Sequence, residues 1–181
     1  MKEISIKNKK ELKKIYKTFF YSRIIFKTNN KELKELVAAL NIKNKKERIT
    51  FIYDSCCKKI DEFSKNKNMC GFKNNKCYTQ QYKGCKYKNG CCRKCIYQSP
   101  KGCTTSNLTC KLFNCSEVRK RFKVIEYNDL DLLKLLTIRQ RTILKHDYFS
   151  SREEVLKDLY IGSITIFAFR LLYRYIRKNI V

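Results

Sequence analysis

The stretch "GCCRKCIYQSPKGCTTSNLTCKLFNC", residues 90–115, contains six cysteines in 26 residues and differs in composition from the sequence on both sides of it. The surrounding segment 70–116 holds nine cysteines, four of the five glycines and the only proline, with nine basic residues and no acidic one. Residues 1–69 and 117–181 instead carry apolar residues at helical spacing. The sequence therefore predicts a mainly α-helical domain with an inserted, loop-rich, metal-stabilised cysteine module. We expect the helical parts 1–69 and 117–181 to pack as one domain.

Eleven cysteines in the whole chain admit three interpretations, which are disulfides, metal ligands and reactive thiols. The N-terminal stretch "MKEISIKNKKELKK" has no apolar segment behind its charges, as a secretory signal peptide would. No apolar run reaches the length of about 18 residues that indicates a membrane span. We therefore expect a cytoplasmic protein. In a reducing cytoplasm, clustered cysteines are more often metal ligands than disulfides, and an odd number cannot pair completely within one chain.

The spacing of the cysteines leaves the metal open. Only Cys92 and Cys95 show the C-x2-C spacing with which one tight turn presents two sulfurs to a metal ion. An all-sulfur ligand set suits Zn²⁺ or an iron–sulfur cluster, and neither a zinc-ribbon pair of knuckles nor a ferredoxin motif is present to choose between them. The grouping into one or two sites is open as well. The candidate metal ligands are Cys70, Cys77, Cys85, Cys91, Cys92, Cys95, Cys103, Cys110 and Cys115.

Residues 85–115 resemble a small family of zinc- or iron-chelating proteins with a CxxCxxCC cysteine cluster. The pair Cys91–Cys92, the pair Gly102–Cys103 and the ending Cys110–Cys115 resemble the family's double cysteine, its Gly-Cys and its closing cysteines. The family's opening C-x2-C and its Arg-Pro are missing. The resemblance implies metal binding without specifying the metal. Elsewhere the chain looks like cysteine-rich small proteins of low-GC anaerobes, a likeness that implies no activity.

The chain is strongly basic, with 42 Lys and Arg against 16 Asp and Glu and a net charge of +26. Such a charge attracts nucleic acid or another polyanion, although a solvated basic surface is the simpler alternative. In residues 78–97, tyrosines alternate with lysines, which suits either base stacking or the packing of a small metal-centred core. The candidate nucleic-acid-binding residues directly follow the last cysteine and are Arg119, Lys120, Arg121 and Lys123.

The first 69 residues predict helices with identifiable caps and faces. Asn30 is expected to cap a helix over residues 31–40. The segment 23–26 fits either a short strand or the continuation of a helix over residues 9–20. Cys56 falls on the apolar face of the next helix, which favours a core residue over a metal ligand. The role of the adjacent Cys57 stays open.

The last third of the chain predicts two helices. The first covers residues 130–146 and ends at His146, the only histidine, which suits a helix C-terminus better than a catalytic or metal-binding role. The second begins at the capping box formed by Ser151 and Glu154 and continues to about residue 178; Gly162 and Ser163 weaken it in the middle and allow a kink there.

The C-terminal part of that second helix, residues 164–178, allows two interpretations. One is a basic amphipathic helix in peripheral contact with a membrane. The other, which we favour at this point, is a core helix with an arginine stripe in water. The arginines that share one side of the helix are Arg170, Arg174 and Arg177.

No reaction is indicated, because the sequence contains no nucleotide-binding or hydrolase motif, and an enzyme is the less favoured class. The first hypothesis is a metal-binding protein that holds zinc or an iron–sulfur cluster through the cysteine module. The second is a basic nucleic-acid-binding regulatory protein with a structural zinc module. The third is a redox or electron-transfer protein whose iron–sulfur cluster is the reactive group. The sequence does not indicate the oligomeric state.

Overall fold

The structure, a computed structural model, describes residues 2–11, 24–64, 67–71, 73, 77–81, 98–99 and 102–180, and over these the protein is mainly helical. Two short strand pairs accompany the helices: β1 (Lys2–Ser5) with β2 (Ile24–Lys27), and β3 (Gln98–Ser99) with β4 (Gly102–Cys103). The α-helices are α1 (Lys34–Asn41), α2 (Lys45–Ser64), α3 (Tyr78–Gln81), α4 (Leu108–Leu112), α5 (Ser116–Arg121), α6 (Ile138–His146), α7 (Arg152–Ile161) and α8 (Ile164–Ile180).

The N-terminal strands pair in parallel, with Ile4 opposite Phe26. β2 is rich in the β-branched and aromatic residues that suit a strand, so the strand interpretation of this segment is confirmed. The side chain of Asn41, at the end of α1, donates to the carbonyl of Phe26 at 2.8 Å and accepts from its N–H at 2.9 Å. That helix therefore satisfies backbone groups of β2. The helix expected over residues 9–20 lies mostly outside the described residues.

The expected cap and buried face of the first described helical segment are confirmed. The side chain of Asn30 accepts a hydrogen bond from the N–H of Glu32 at 2.9 Å. This bond caps a short 3₁₀ helix, Lys31–Leu33, that leads directly into α1. A cap of this kind contributes about 1 kcal/mol. The apolar residues that face the core are Leu33, Leu36, Val37 and Leu40.

Helix α2 crosses the centre of the molecule and packs against α4 and α7. Its buried face includes Ile49, Ile52 and Ile60, which recur at helical spacing. Cys56 lies on the same face and is buried, so its interpretation as a core residue is confirmed.

Residues from both ends of the chain share one hydrophobic core, which extends from Ile6 to Phe167. Leu108, from the cysteine-rich segment, lies in this core too. The buried Tyr53 hydroxyl joins this segment to α2, because it donates to the carbonyl of Ser106 and accepts from the N–H of Leu108, both at 3.0 Å. The end of the cysteine-rich segment is therefore part of the helical body. The inserted module itself stays a prediction, because residues 82–97, which hold four of its cysteines, lie outside the described ones.

The single helix expected over residues 130–146 is wrong. Two short 3₁₀ helices, Tyr127–Asp129 and Asp131–Leu135, precede α6. The hydroxyl of Thr137 accepts from the N–H of Gln140 at 3.3 Å, and the Gln140 side chain accepts from the N–H of Thr137 at 2.9 Å. This capping box begins a new helix and holds Thr137 in an extended conformation. The apolar residues of this segment that lie in the core are Leu132, Leu133, Leu136, Ile143 and Leu144.

The continuous helix expected from Arg152 to about residue 178 is also wrong, although its start is confirmed. The Ser151 hydroxyl accepts from the N–H of Glu154 at 3.2 Å, and the Glu154 carboxylate accepts from the N–H of Ser151 at 2.8 Å. At Gly162 the chain adopts φ +65°, a left-handed conformation that ends α7. A new helix, α8, then begins, so the expected kink is a complete break.

The prediction that the arginines of α8 face water is wrong for Arg170 and Arg174. The guanidinium of Arg170 binds Asp147 (Nη2 to Oδ2, 2.9 Å) and Asp158 (Nε to Oδ2, 2.7 Å). Arg174 Nη2 binds Glu154 Oε1 at 3.2 Å. The two aspartates are buried and need a counter-ion. These carboxylates therefore turn the arginine side of α8 towards the protein.

Candidate metal centre

Cys70 and Gly71 form a tight turn that is held by the helix that follows it. Gly71 has φ +59°, and a Cβ atom there would clash with the ring of Tyr78, so only glycine fits without displacement. The N–H of Tyr78 donates to the carbonyl of Cys70 at 2.9 Å, and the Gln81 side chain donates to the carbonyl of Gly71 at 2.6 Å. Cys77 directly precedes Tyr78. The segments that carry Cys70 and Cys77 are thus joined by a direct hydrogen bond.

Helix α3 packs against α5, the helix that follows the last cysteine. The guanidinium carbon of Arg121 lies 4.2 Å from the centroid of the Tyr78 ring, a cation–π contact. Cys77 is buried directly before α3, and Cys115 directly precedes α5. The two ends of the cysteine-rich segment therefore meet on neighbouring helices.

Asn107 anchors the helix that carries Cys110. Its buried side-chain oxygen accepts from the N–H of Cys110 at 2.9 Å and so caps α4. Its amide donates to the carbonyls of Asp147 at 2.9 Å and Ser150 at 3.2 Å. Because these bonds are buried, α4 is firmly joined to the loop 147–150. Sequence reasoning missed Asn107, although an asparagine directly before "LTCKL" is a recognisable N-cap signal.

The sulfur of Cys110 accepts a hydrogen bond from the backbone N–H of Phe149, with an N–S distance of 3.3 Å. Phe149 has φ +64°, an unusual conformation for a bulky residue that costs on the order of 1 kcal/mol. An N–H that points at a sulfur stabilises the thiolate relative to the thiol, and such bonds also tune metal-bound sulfur. This contact joins α4 to the loop 147–150 through the sulfur itself. Nothing in the sequence around Phe149 signalled this contact.

Cys56 and Cys57 have a different chemical character. Burial raises the pKa of each thiol to about 12, so both stay protonated at neutral pH. The Cys57 sulfur lies 3.9 Å from the carbonyl oxygen of Ser106, as expected for a weak thiol donor. Cys56 lies in the hydrophobic core and Cys57 packs partly against it, so both have a structural role outside the candidate site.

The structure places the segments that carry Cys70, Cys77 and Cys115 next to one another, and the other predicted ligands lie elsewhere or outside the described residues. Cys103 lies in β4 opposite Gln98, and the exposed His146 ends α6. Within the described ranges, no three Cys, His, Asp or Glu side chains are close enough together to hold a metal ion. A site that holds a metal ion would draw further thiols from residues 82–97 or from Cys103. The candidate ligands outside the described residues are Cys85, Cys91, Cys92 and Cys95.

Three of the four basic residues proposed for nucleic-acid binding are paired with acidic neighbours. Arg121 and Lys120 bind Glu117 at 2.7 and 3.2 Å, and Arg119 binds Glu126 at 3.0 Å. The hydrogen bond from Arg121, followed by that from Lys120, holds the pKa of Glu117 below its ordinary value. These carboxylates would compete with a phosphate backbone for the same cations. The nucleic-acid hypothesis therefore rests on the net charge and stays a prediction.

Comparison with family models, with curated proteins and with solved structures finds no match to this chain. The local resemblance of residues 85–115 to a metal-chelating family thus stays a prediction.

Proposed function

We propose that the chain is a metal-binding protein that holds zinc or an iron–sulfur cluster through cysteines of residues 70–115. The observation that supports this most directly is the packing of α3 on α5. It joins the segment of Cys70 and Cys77 to the segment of Cys115, at opposite ends of the cysteine-rich sequence. A metal bound between these ends would close the intervening residues into a loop.

The energetics favour such a closed loop. Residues 82–97 offer only tyrosines, one isoleucine and four cysteines as apolar material, which is little to bury. Structural zinc binding supplies about 10 to 16 kcal/mol in small peptides, enough to order a segment of this kind. Because the packing of α3 on α5 already holds the ends of the loop together, metal binding has to overcome a smaller loss of chain entropy.

The electrostatics are consistent with thiolate ligands. A zinc ion with four thiolates has a formal charge of about −2, and iron–sulfur centres with cysteine ligands are commonly anionic too. The segment 70–116 contains nine basic residues and no acidic residue, so its charge balances such a site. The N–H of Phe149 adds a directed contact to Cys110.

The test is metal and sulfide analysis of the full chain purified without oxygen, together with its absorption spectrum. Four proteins are compared: the wild type, Cys77→Ser, Cys115→Ser, and the control Cys57→Ser. The control removes a thiol of similar size that lies outside the proposed site. We expect bound metal in the wild type and the control, and at least a twofold lower metal content in each of the other two variants.

The form of the metal decides between the open alternatives. One or two zinc ions in a colourless protein would indicate a structural site, whereas iron with acid-labile sulfide and visible absorption would indicate a cluster that can transfer electrons. A wild type without metal, or a metal content that neither Cys77→Ser nor Cys115→Ser changes, would refute the proposal.

A further inference from the structure

The rotation of α8 about its axis is fixed by the contacts of one side. Phe167 is buried in the core, and Leu171 packs partly against it. Between them, Arg170 binds the buried carboxylates of Asp147 and Asp158. Both the apolar and the charged contacts of the helix with the protein therefore come from the same side.

The opposite side of α8 is apolar and exposed. Phe169 is 66% exposed and Leu172 is 53% exposed, although both are large hydrophobic residues. An exposed apolar surface of this kind is typical of a site that contacts a partner or a membrane. We call the exposed apolar residues of the helix the outer face; they are Ile164, Ile166, Phe169, Leu172, Tyr173, Tyr175 and Ile176.

Charge distinguishes among the possible occupants of the outer face. The sequence of α8 contains four basic residues and no acidic one, and Arg177 is exposed beside the outer face. The nearby carboxylates of Glu154 and Asp158 are already bound to Arg174 and Arg170. A second copy of this chain would bring another net charge of +26 to the same surface and be repelled. A surface that is both apolar and anionic fits the outer face best.

We propose that α8 binds in the plane of an anionic lipid membrane, with its outer face among the acyl chains and its arginine side packed on the protein. Among the described residues, no helix is long and apolar enough to cross a bilayer, so the contact would be peripheral. Exposed tyrosines such as Tyr173 suit the boundary between acyl chains and headgroups. This proposal is independent of metal binding.

The chain contains no tryptophan, which allows a sharp test. We would prepare the full-length single-tryptophan variants Leu172→Trp and Ile138→Trp. Ile138 is the matched control, because it is a 74% exposed apolar residue on α6 rather than on the outer face. Fluorescence emission is recorded with vesicles of phosphatidylcholine alone and with vesicles that contain about one third phosphatidylglycerol.

We expect Leu172→Trp, and not Ile138→Trp, to show a blue-shifted emission with the anionic vesicles and quenching by brominated acyl chains. The wild type should co-sediment with anionic vesicles at least about tenfold more strongly than the double variant Phe169→Gln/Leu172→Gln. The reason is that the variant lacks two apolar side chains that would be buried among the acyl chains. With vesicles of phosphatidylcholine alone, we expect no binding by the wild type or by any of the variants.

Several outcomes would overturn the proposal. One is the absence of any emission shift at Leu172→Trp with anionic vesicles. Another is equal vesicle binding by the wild type and the double glutamine variant, which would assign the binding to charge elsewhere. A blue-shifted emission of Leu172→Trp without vesicles would mean that protein covers the outer face. If dilution removed this shift, the covering protein would be a second copy of the chain. If the shift persisted on dilution, the outer face would be covered by another part of the same chain.

Discussion

Replacing Arg170 by methionine tests the buried charge network that orients α8. The variant keeps an unbranched apolar stem but removes the guanidinium from the side chains of Asp147, which is 0% exposed, and Asp158, which is 4% exposed. Breaking a buried pair by removing one partner costs about 3 to 5 kcal/mol. An unpaired buried aspartate can also take up a proton instead of staying charged. Protonating an aspartate with a reference pKa of about 3.9 costs about 4 kcal/mol at pH 7, which sets an upper limit on the loss of stability. We therefore expect the free energy of unfolding to fall by about 3 to 4 kcal/mol at pH 7.

The pH dependence supplies a signature that a simple packing defect would not give. In the wild type, burial raises the pKa of Asp147, while Ser150 and Arg170 oppose this rise. Without Arg170 the folded-state pKa rises further above the unfolded value. Such a group favours the folded state fully below the unfolded pKa, and this contribution is lost as pH rises through the folded pKa. Protonation costs only about 1.5 kcal/mol at pH 5, so the loss of stability should shrink by about 2 kcal/mol between pH 7 and pH 5.

The assay is urea unfolding followed by circular dichroism at pH 7 and pH 5. Arg177→Met is the control, because Arg177 lies on the same helix and is exposed. We expect that control to change the free energy of unfolding by less than about 0.5 kcal/mol. A loss below about 1 kcal/mol in Arg170→Met, or a loss of equal size at both pH values, would refute the reasoning.

Three further variants or measurements test other parts of the structure. Gly71→Ala places a Cβ against the Tyr78 ring at a positive φ, and should lower the free energy of unfolding by about 1 to 2 kcal/mol in urea titrations; an unchanged value would contradict the turn described here. Ser151→Ala removes the cap of α7 and should cost about 1 kcal/mol, whereas an aspartate at the same position should retain most of the stability. Because burial raises the pKa of Cys56 and Cys57 to about 12, their alkylation by iodoacetamide at pH 8 should be slower in the folded protein than in urea by on the order of a thousandfold, and similar rates would show that these thiols are not buried.

Several local signals in the sequence predicted local structure correctly, and one decisive local signal was missed. Asn30 and Ser151 cap helices as expected, because a cap depends on residues within one turn. The buried position of Cys56 followed from apolar spacing along a single helix. The break at Thr137 was missed because apolar residues continue at helical spacing through it, while the capping box with Gln140 decides the helix start.

Contacts between distant segments could not be predicted in this way. The arginines of α8 share one side of the helix and most of its exposed apolar residues lie on the other, and the sequence alone does not decide which side faces the protein. The choice depends on the buried Asp147 and Asp158, which come from the preceding loop and helix. The contact of Phe149 with Cys110 joins residues 39 positions apart and involves a backbone N–H that has no sequence signature.

The loop 147–150 lies at the meeting point of the two proposals. On one side, Phe149 donates its N–H to the sulfur of Cys110, and Asn107 donates to the carbonyl of Asp147. On the other side, the carboxylate of Asp147 binds Arg170 of α8. A metal bound by Cys110 would draw electron density from the sulfur that accepts the Phe149 N–H, and so change the contacts that hold this loop. Because the same loop binds Arg170, a continuous set of hydrogen bonds joins the cysteine segment to the arginine side of α8.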